Sequence, residues 1–74
     1  MSEENKITKE GQVSQTLPNL RFKVKLDEEE EDREILAHLS GKMNKYHIRV
    51  VPGDRVRVEL PKENSERGRI VRRL

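Results

Sequence analysis

The sequence has no cysteine and very few aromatic side chains. Without cysteine there is no disulfide, no thiolate metal site and no cysteine nucleophile, and the chain lacks the cross-links that stabilise small secreted domains. Its aromatic rings are those of Phe22 and Tyr46, too few for the stacking platform of proteins that bind any single strand of nucleic acid. We therefore expect a cytoplasmic protein that does not bind nucleic acid through a row of rings.

Long hydrophobic runs are also missing. Hydrophobic residues make up 31% of the 74 residues and charged residues 41%, and a chain of this size buries only about 60% of its unfolded surface. No stretch is long enough to span a bilayer, and residues 1–6 have no apolar segment of the secretory type. The composition predicts one small domain with a shallow core, and we expect neither a membrane anchor nor a deep catalytic cleft.

Patterns that carry enzymatic or metal chemistry are absent as well. The serine, histidine and carboxylate residues form no nucleophile elbow, phosphate-binding glycine loop or metal-ligand spacing. An acidic run from Asp27 to Asp32 lacks the glycine and the spacing of a calcium loop, and it is predicted to be a solvated hairpin loop. We expect a protein that is not an enzyme and that holds no metal or cofactor.

Positive charge is unevenly distributed along the chain. Residues 1–40 contain six Lys or Arg against ten Asp or Glu, whereas residues 41–74 contain ten against four. The net charge of +2 therefore conceals a basic second half. Such a concentration of cations is typical of a surface that binds a polyanion, because each cation that meets a phosphate releases condensed counterions. Nucleic acid is the partner that this pattern favours over ordinary surface charge.

Apolar and polar residues alternate along three segments, which predicts strands with one buried face. The predicted inward residues are Leu20, Phe22, Val24 and Leu26 in the second strand, Ile35, Ala37 and Leu39 in the third, and Val56, Val58 and Leu60 in the fourth. A first strand over residues 10–17 and a fifth over residues 68–72 complete the set. We expect residues 1–8 to be a flexible tail and residues 9–74 to form a single domain.

A short polar segment separates the third and fourth strands. Ser40 is suited to cap one or two helical turns in which Met43 and either Tyr46 or His47 close the end of the core. Residues 48–51 return to β-type side chains. Five short strands with a helical turn between the third and fourth predict an all-β fold, a five-stranded antiparallel OB-fold Greek-key barrel. An SH3-like barrel is the structural alternative.

The outward face of the second strand carries three cations in a row, Arg21, Lys23 and Lys25. Cations in this position can protect an exposed sheet edge from pairing with another chain. They can also face the phosphates of a nucleic acid. The sequence leaves both interpretations open.

A series of short motifs runs through the chain in order from residue 10 to residue 72. They are Gly11-Gln12-Val13, Thr16-Leu17-Pro18-Asn19, Phe22-Lys23-Val24, Ala37-His38, Leu39-Ser40-Gly41-Lys42-Met43, Ile48-Arg49-Val50, Gly53-Asp54-Arg55-Val56, Val58-Glu59-Leu60 and Gly68-Arg69-Ile70-Val71. No single motif is decisive, but the ordered set is specific. Together they resemble the bacterial translation initiation factor 1 family.

This resemblance implies a function in translation initiation. Members of the family are OB-fold proteins that bind the small ribosomal subunit at its A site, contact its RNA beside ribosomal protein uS12 and block premature access of tRNA. They work together with initiation factors two and three. By resemblance we expect a monomeric rRNA-binding factor with these partners and no membrane partner.

The resemblance also identifies candidate RNA-binding residues. By motif the implied contacts are Lys42, Arg49 and Arg69, with Lys45 and Arg67 as auxiliary cations. His38 is predicted to face outward, where it can contact RNA or a partner, and Tyr46 and His47 are candidates for local base stacking.

The chain departs from the family pattern at several positions. Asn44 and His47 stand where the family usually has Arg and Tyr, and Arg72 stands where it has an aromatic residue. The acidic hairpin loop is also longer than the pattern. Two alternatives remain open: a general RNA-binding OB module or RNA chaperone, and a protein–protein adaptor that uses the acidic loop.

Overall fold

The computed structural model describes residues 6–27 and 33–74. In this part of the chain, five strands and one short helix follow one another. In chain order they are β1 (Ile7–Leu17), β2 (Arg21–Leu26), β3 (Glu34–Leu39), α1 (Gly41–Lys45), β4 (Arg55–Leu60) and β5 (Arg67–Arg73). The predicted strands and the helical turn between the third and fourth are confirmed.

The ends of two predicted segments fall partly outside the described ranges. β1 begins at Ile7, inside the range predicted as a tail, and residues 1–5 of that tail are not among the described residues. Asp27 lies in a turn directly after β2, whereas residues 28–32 of the predicted acidic loop are likewise outside them. Within the described ranges, no helix is long and apolar enough to cross a membrane.

The strands close into a barrel in the order β1-β2-β3-β5-β4. Four pairings are antiparallel, and β3 and β5 are parallel, with Leu36 beside Arg67 and Leu39 beside Ile70. The parallel pair arises because α1 carries the chain across the barrel end, so that β5, returning from β4, runs in the direction of β3. The predicted OB-type barrel is confirmed, with one parallel pairing where all were expected to be antiparallel.

A single hydrophobic core fills the barrel. Its buried residues are Val13, Phe22, Val24, Leu26, Ile35, Ala37, Met43, Val50, Val56, Val58, Leu60 and Ile70. Most follow the predicted alternation, since successive side chains of a strand point to opposite faces. Each fully buried aliphatic side chain contributes about 1.5–3 kcal/mol relative to an exposed one, which makes the core the main source of stability in a chain this short.

β1 pairs with two neighbouring strands, and Gly11 lies where the two pairings overlap. Residues 7–12 pair with β4 and residues 11–17 with β2, so the strand coils around the barrel and pairs on both sides at Gly11. Gly11 is buried, and a Cβ there would lie 2.3 Å from the carbonyl oxygen of Lys25. No residue with a side chain fits that approach without a shift of the backbone.

The prediction that Leu20 faces the core is wrong. The side chain is 54% exposed, and the residue lies in the turn before β2 rather than in the strand. Asn19 and Leu20 have φ values of 66° and 58°, so both adopt the left-handed conformation of a tight turn. The alternation of β2 therefore begins one residue later, at Arg21.

The β-type residues at 48–51 do not join a strand. Val50 is buried, whereas Val51 is 45% exposed. The segment leads into a turn that is fastened to β1, because the Gly53 N–H donates to the carbonyl of Val13 at 2.8 Å and the Val13 N–H donates to the carbonyl of Asp54 at 2.9 Å. These two hydrogen bonds pair the backbone N–H and carbonyl of Val13, so a turn does here what a sixth strand would otherwise do.

Candidate nucleic-acid interface

Helix α1 places the first predicted RNA contacts on the surface. The Ser40 hydroxyl oxygen accepts a hydrogen bond from the Met43 N–H at 3.2 Å, and the Ser40 N–H donates to the carbonyl of Ile70 at 2.9 Å. These two bonds fix the start of the helix against the middle of β5. Met43 is buried under it, which leaves Lys42 and Lys45 exposed. The predicted cap and the core position of Met43 are confirmed.

The helix ends at two exposed rings, Tyr46 and His47. Tyr46 is 62% exposed, and the Nζ atom of Lys45 lies 5.9 Å from its ring centroid. His47 has a φ of 56°, a left-handed value that reverses the chain after the helix. The expectation that one of the two rings closes the core is wrong, because Ile48 packs there instead. Because both rings are exposed, they are accessible for the predicted stacking on bases.

Arg49 completes this part of the surface. Its side chain is exposed, and its backbone carbonyl accepts a hydrogen bond from Nη1 of Arg73 at 2.8 Å. That bond positions the segment after α1 beside the end of β5. We define the helix surface as Lys42, Lys45, Tyr46, His47 and Arg49.

The remaining predicted contacts lie on the outer face of β3 and β5. His38 is beside Arg69 in the parallel register, and Leu36 is beside Arg67. On the other side of β3, Arg21 of β2 is beside His38. We define the sheet surface as Arg21, Leu36, His38, Arg67 and Arg69. The helix surface adjoins it, because α1 follows β3 directly and packs against both β3 and β5.

The cations of the two surfaces differ in whether they pair with a carboxylate. Nη2 of Arg69 lies 2.6 Å from Oε1 of Glu59, in a partly buried ion pair across β4 and β5. Within the described part of the chain, Lys42, Lys45, Arg49 and Arg67 have no carboxylate within ion-pair distance. A phosphate can approach these four without displacing a protein carboxylate.

A groove of about 970 Å³ opens on the sheet surface. Its apolar lining includes Ile7, Leu36 and Pro61. Its charged lining includes the cations Arg21 and Arg67 and the carboxylates of Glu59 and Glu63. Apolar contact for bases or ribose beside cations for phosphates is a combination suited to RNA. The groove and the two surfaces together form the candidate interface.

Arg21 is a member of this interface that the motifs did not identify. The alternation of β2 showed that its side chain points outward. The predicted hairpin placed β3 beside β2, but the sequence did not show that β5 pairs with the other side of β3. This long-range pairing brings Arg21, His38 and Arg69 into one row.

A bidentate ion pair between Asp27 and Arg55 lies outside the two surfaces. Nη1 of Arg55 donates to Oδ1 of Asp27 at 2.8 Å, and Nη2 donates to Oδ2. These hydrogen bonds lower the pKa of the Asp27 carboxyl and raise the pKa of Arg55. The pair joins the end of β2 to the start of β4. Over residues 6–27 and 33–74, no group of three or more His, Asp or Glu side chains could hold a metal ion.

Comparison with known proteins identifies relatives of the whole chain. The family model described as translation initiation factor 1A / IF-1 matches residues 1–74. The chloroplastic translation initiation factor IF-1 of Solanum lycopersicum is 45% identical over 74 residues, which is 100% of this chain and 46% of the tomato protein. The chain therefore spans about half the length of that relative.

Two solved structures share the fold. The solution structure of translation initiation factor 1 from the Wolbachia endosymbiont of Brugia malayi has a TM-score of 0.73 and 42% identity, covering 96% of this chain and 80% of that one. The crystal structure of YjeQ from Thermotoga maritima has a TM-score of 0.70 and 29% identity, covering 92% of this chain but 23% of that one.

Proposed function

Because this chain belongs to the translation initiation factor 1A / IF-1 family, we propose that it is an initiation factor that binds the small ribosomal subunit. It docks at the A site, contacts the RNA there and blocks premature access of tRNA. The protein acts by occupying a site, as a non-catalytic factor.

One observation supports this proposal above the others. Lys42, Lys45, Arg49 and Arg67 are exposed side chains of a closed barrel with its capping helix, and within the described residues none has a carboxylate partner. Arg can form a forked contact with two phosphate oxygens, and Lys supplies a mobile point charge. A rigid barrel that presents such cations fits a folded RNA surface, which is recognised by shape and by backbone contacts.

The proposed factor acts by occupying its binding site on the subunit. The factor shifts the conformational equilibrium of the subunit only if it contacts two states of the RNA differently. Tyr46 and His47 can supply such a difference, since exposed rings stack only on bases that are unstacked. Ribosomal protein uS12 and initiation factors two and three are the proposed neighbours, and the factor acts as a monomer.

The proposal is tested by removing unpaired cations from both surfaces. We expect the K42Q/R49Q/R67Q variant to bind isolated small subunits about 100-fold more weakly, and the slope of log affinity against log salt to fall by about 2–3, because each lost phosphate contact reduces it by roughly 0.7–0.9. Fluorescence anisotropy at several salt concentrations measures both quantities. Plastid and bacterial subunits are compared, because the tomato relative is named as chloroplastic.

A charge-matched control separates specific contacts from net charge. The R55Q/R57Q/R72Q variant loses the same three charges from β4 and the end of β5, where Asp27 and Glu10 already neutralise Arg55 and Arg57. We expect it to bind within about threefold of the unsubstituted protein. Equal losses in both variants would contradict the proposal. Equal affinity for unrelated single strands would indicate a general RNA-binding module instead.

A further inference from the structure

Three cations lie in one line along the outside of β2. The strand alternates between exposed and buried residues, and Arg21, Lys23 and Lys25 occupy its exposed positions. Alternate residues of an antiparallel strand are about 6.8 Å apart, so the three cations are spread along the strand rather than clustered at one point. We define these three residues as the β2 stripe. Its spacing lets each cation meet a different phosphate of one strand.

The closed barrel excludes the interpretation that the β2 stripe protects a sheet edge. β2 pairs with β1 on one side and with β3 on the other. Its backbone groups face neighbouring strands on both sides, so an additional chain has no free edge to pair with. The stripe therefore has no edge-protecting function in this fold.

The β2 stripe has almost no acidic neighbours among the described residues. Across the strands, Lys23 lies beside Gln15 and Leu36, and Arg21 lies beside Leu17 and His38. None of these neighbours is a carboxylate.

Glu34, opposite Lys25, is the exception in these pairings. Its Oε2 atom accepts a hydrogen bond from the Ser14 hydroxyl at 2.8 Å, and no ion pair joins Glu34 to Lys25 within the described residues. Among the described residues, Arg21 and Lys23 therefore carry positive charge that no cross-strand carboxylate compensates.

The β2 stripe continues the sheet surface. It starts at Arg21, beside His38, and runs along β2 to Lys25, at the level of Glu34 where β3 begins. We propose that the β2 stripe binds the phosphodiester backbone of an RNA segment that continues beyond the sheet surface. This assigns a second set of phosphate contacts to the face of β2, and it rests on the proposed function.

A triple substitution tests the stripe. We expect R21Q/K23Q/K25Q to weaken small-subunit binding at least tenfold and to lower the salt slope by about 2–3. The R55Q/R57Q/R72Q control loses the same charge and is expected to stay within about threefold. Hydroxyl-radical footprinting of the small-subunit RNA provides the second measurement. The unsubstituted protein should protect one backbone segment that a K23Q/K25Q variant leaves exposed. Because this variant retains Arg21 of the sheet surface, protection at the A site should persist.

The outcomes separate this proposal from the proposed function. If the stripe variants protected the same RNA as the unsubstituted protein and bound as tightly as the control variant, the stripe proposal would be overturned. The initiation-factor proposal would still stand. Absence of small-subunit binding by the unsubstituted protein would overturn both. Circular dichroism of the variants shows whether the barrel is intact, and the single substitution K23Q, at an exposed strand position, tests the stripe with the least effect on folding.

Discussion

At the scale of single residues, two arginines on β5 illustrate how a partner changes the availability of a charge. Arg67 and Arg69 are two positions apart on the same outer face, yet Arg69 is held 2.6 Å from Glu59, whereas no described carboxylate pairs with Arg67. RNA that contacts Arg69 must compete with this carboxylate. Glu59 is therefore expected to weaken binding without touching the RNA.

Glu59→Gln tests this competition. Removal of the carboxylate charge frees the Arg69 guanidinium, so we expect small-subunit affinity to rise about 3- to 10-fold and the salt slope to steepen by roughly 0.7–0.9. The control is Glu10→Gln, which removes the same charge from the ion pair with Arg57 on β1 and β4. Salt-dependent anisotropy titrations compare the two. An equal rise in both variants would show that net charge alone is responsible.

At the scale of elements, the turn between β1 and β2 is formed against the preference of its sequence. Asn19 tolerates a left-handed backbone, but Leu20 adopts a φ of 58°, which costs a residue with a side chain roughly 1–2 kcal/mol. The pairing of Leu17 with Arg21 fixes the ends of the turn. The barrel therefore imposes this conformation on Leu20 and leaves its side chain in solvent.

Leu20→Gly is expected to stabilise the protein by about 0.5–1 kcal/mol, because glycine adopts the left-handed region freely but loses more backbone entropy on folding. Leu20→Ala retains the Cβ that causes the strain and should give no such gain. Urea denaturation followed by far-ultraviolet circular dichroism measures the unfolding free energy of both, since the protein has no tryptophan. A similar gain in the alanine variant would attribute the effect to the exposed side chain rather than to the backbone.

At the scale of the whole molecule, the barrel is closed by contacts between segments far apart in sequence. Asp27 and Arg55 join the end of β2 to the start of β4 through a bidentate pair. The carbonyl of Arg55 also accepts a hydrogen bond from the N–H of Leu74 at 2.8 Å. The pair thus links β2 to β4 across β1, beside the residue that follows β5.

The pH dependence of stability should reveal this pair. The hydrogen bond from Arg55 lowers the pKa of Asp27 from its ordinary value of 3.8. The pair therefore stabilises the fold above that value, and its contribution is lost as the pH falls through the lower pKa of the folded state. Because the pair is solvent-exposed, the contribution is small.

We expect Asp27→Asn to reduce the free energy of unfolding slightly at neutral pH and to match the unsubstituted protein in strong acid. Urea denaturation across this range, with Arg55→Gln and the double variant, completes a mutant cycle. A cycle without coupling at neutral pH would show that the pair contributes nothing.

The sequence by itself determined the elements and most of the core. Alternation with a period of two defined β2, β3 and β4 because side chains of a strand point to opposite faces, and Ser40 marked the helix because its hydroxyl can satisfy a free N–H of the first turn. Local chemistry was sufficient at these positions. It was insufficient at Leu20, where the pairing of Leu17 with Arg21 sets the turn. It was also insufficient at residues 48–51, because the turn that follows them is hydrogen-bonded to Val13 of β1.

The tertiary structure alone decided which cations lie together and which of them pair with a carboxylate. The parallel pairing of β3 with β5 places His38 beside Arg69, and the pairing of β4 with β5 places Glu59 against Arg69. Closure of the barrel removed the edge that the cations of β2 were suited to protect. Long-range strand pairing depends on the complementarity of whole faces, which no local pattern contains, so the sequence predicted the charged residues of the interface but not their neighbours.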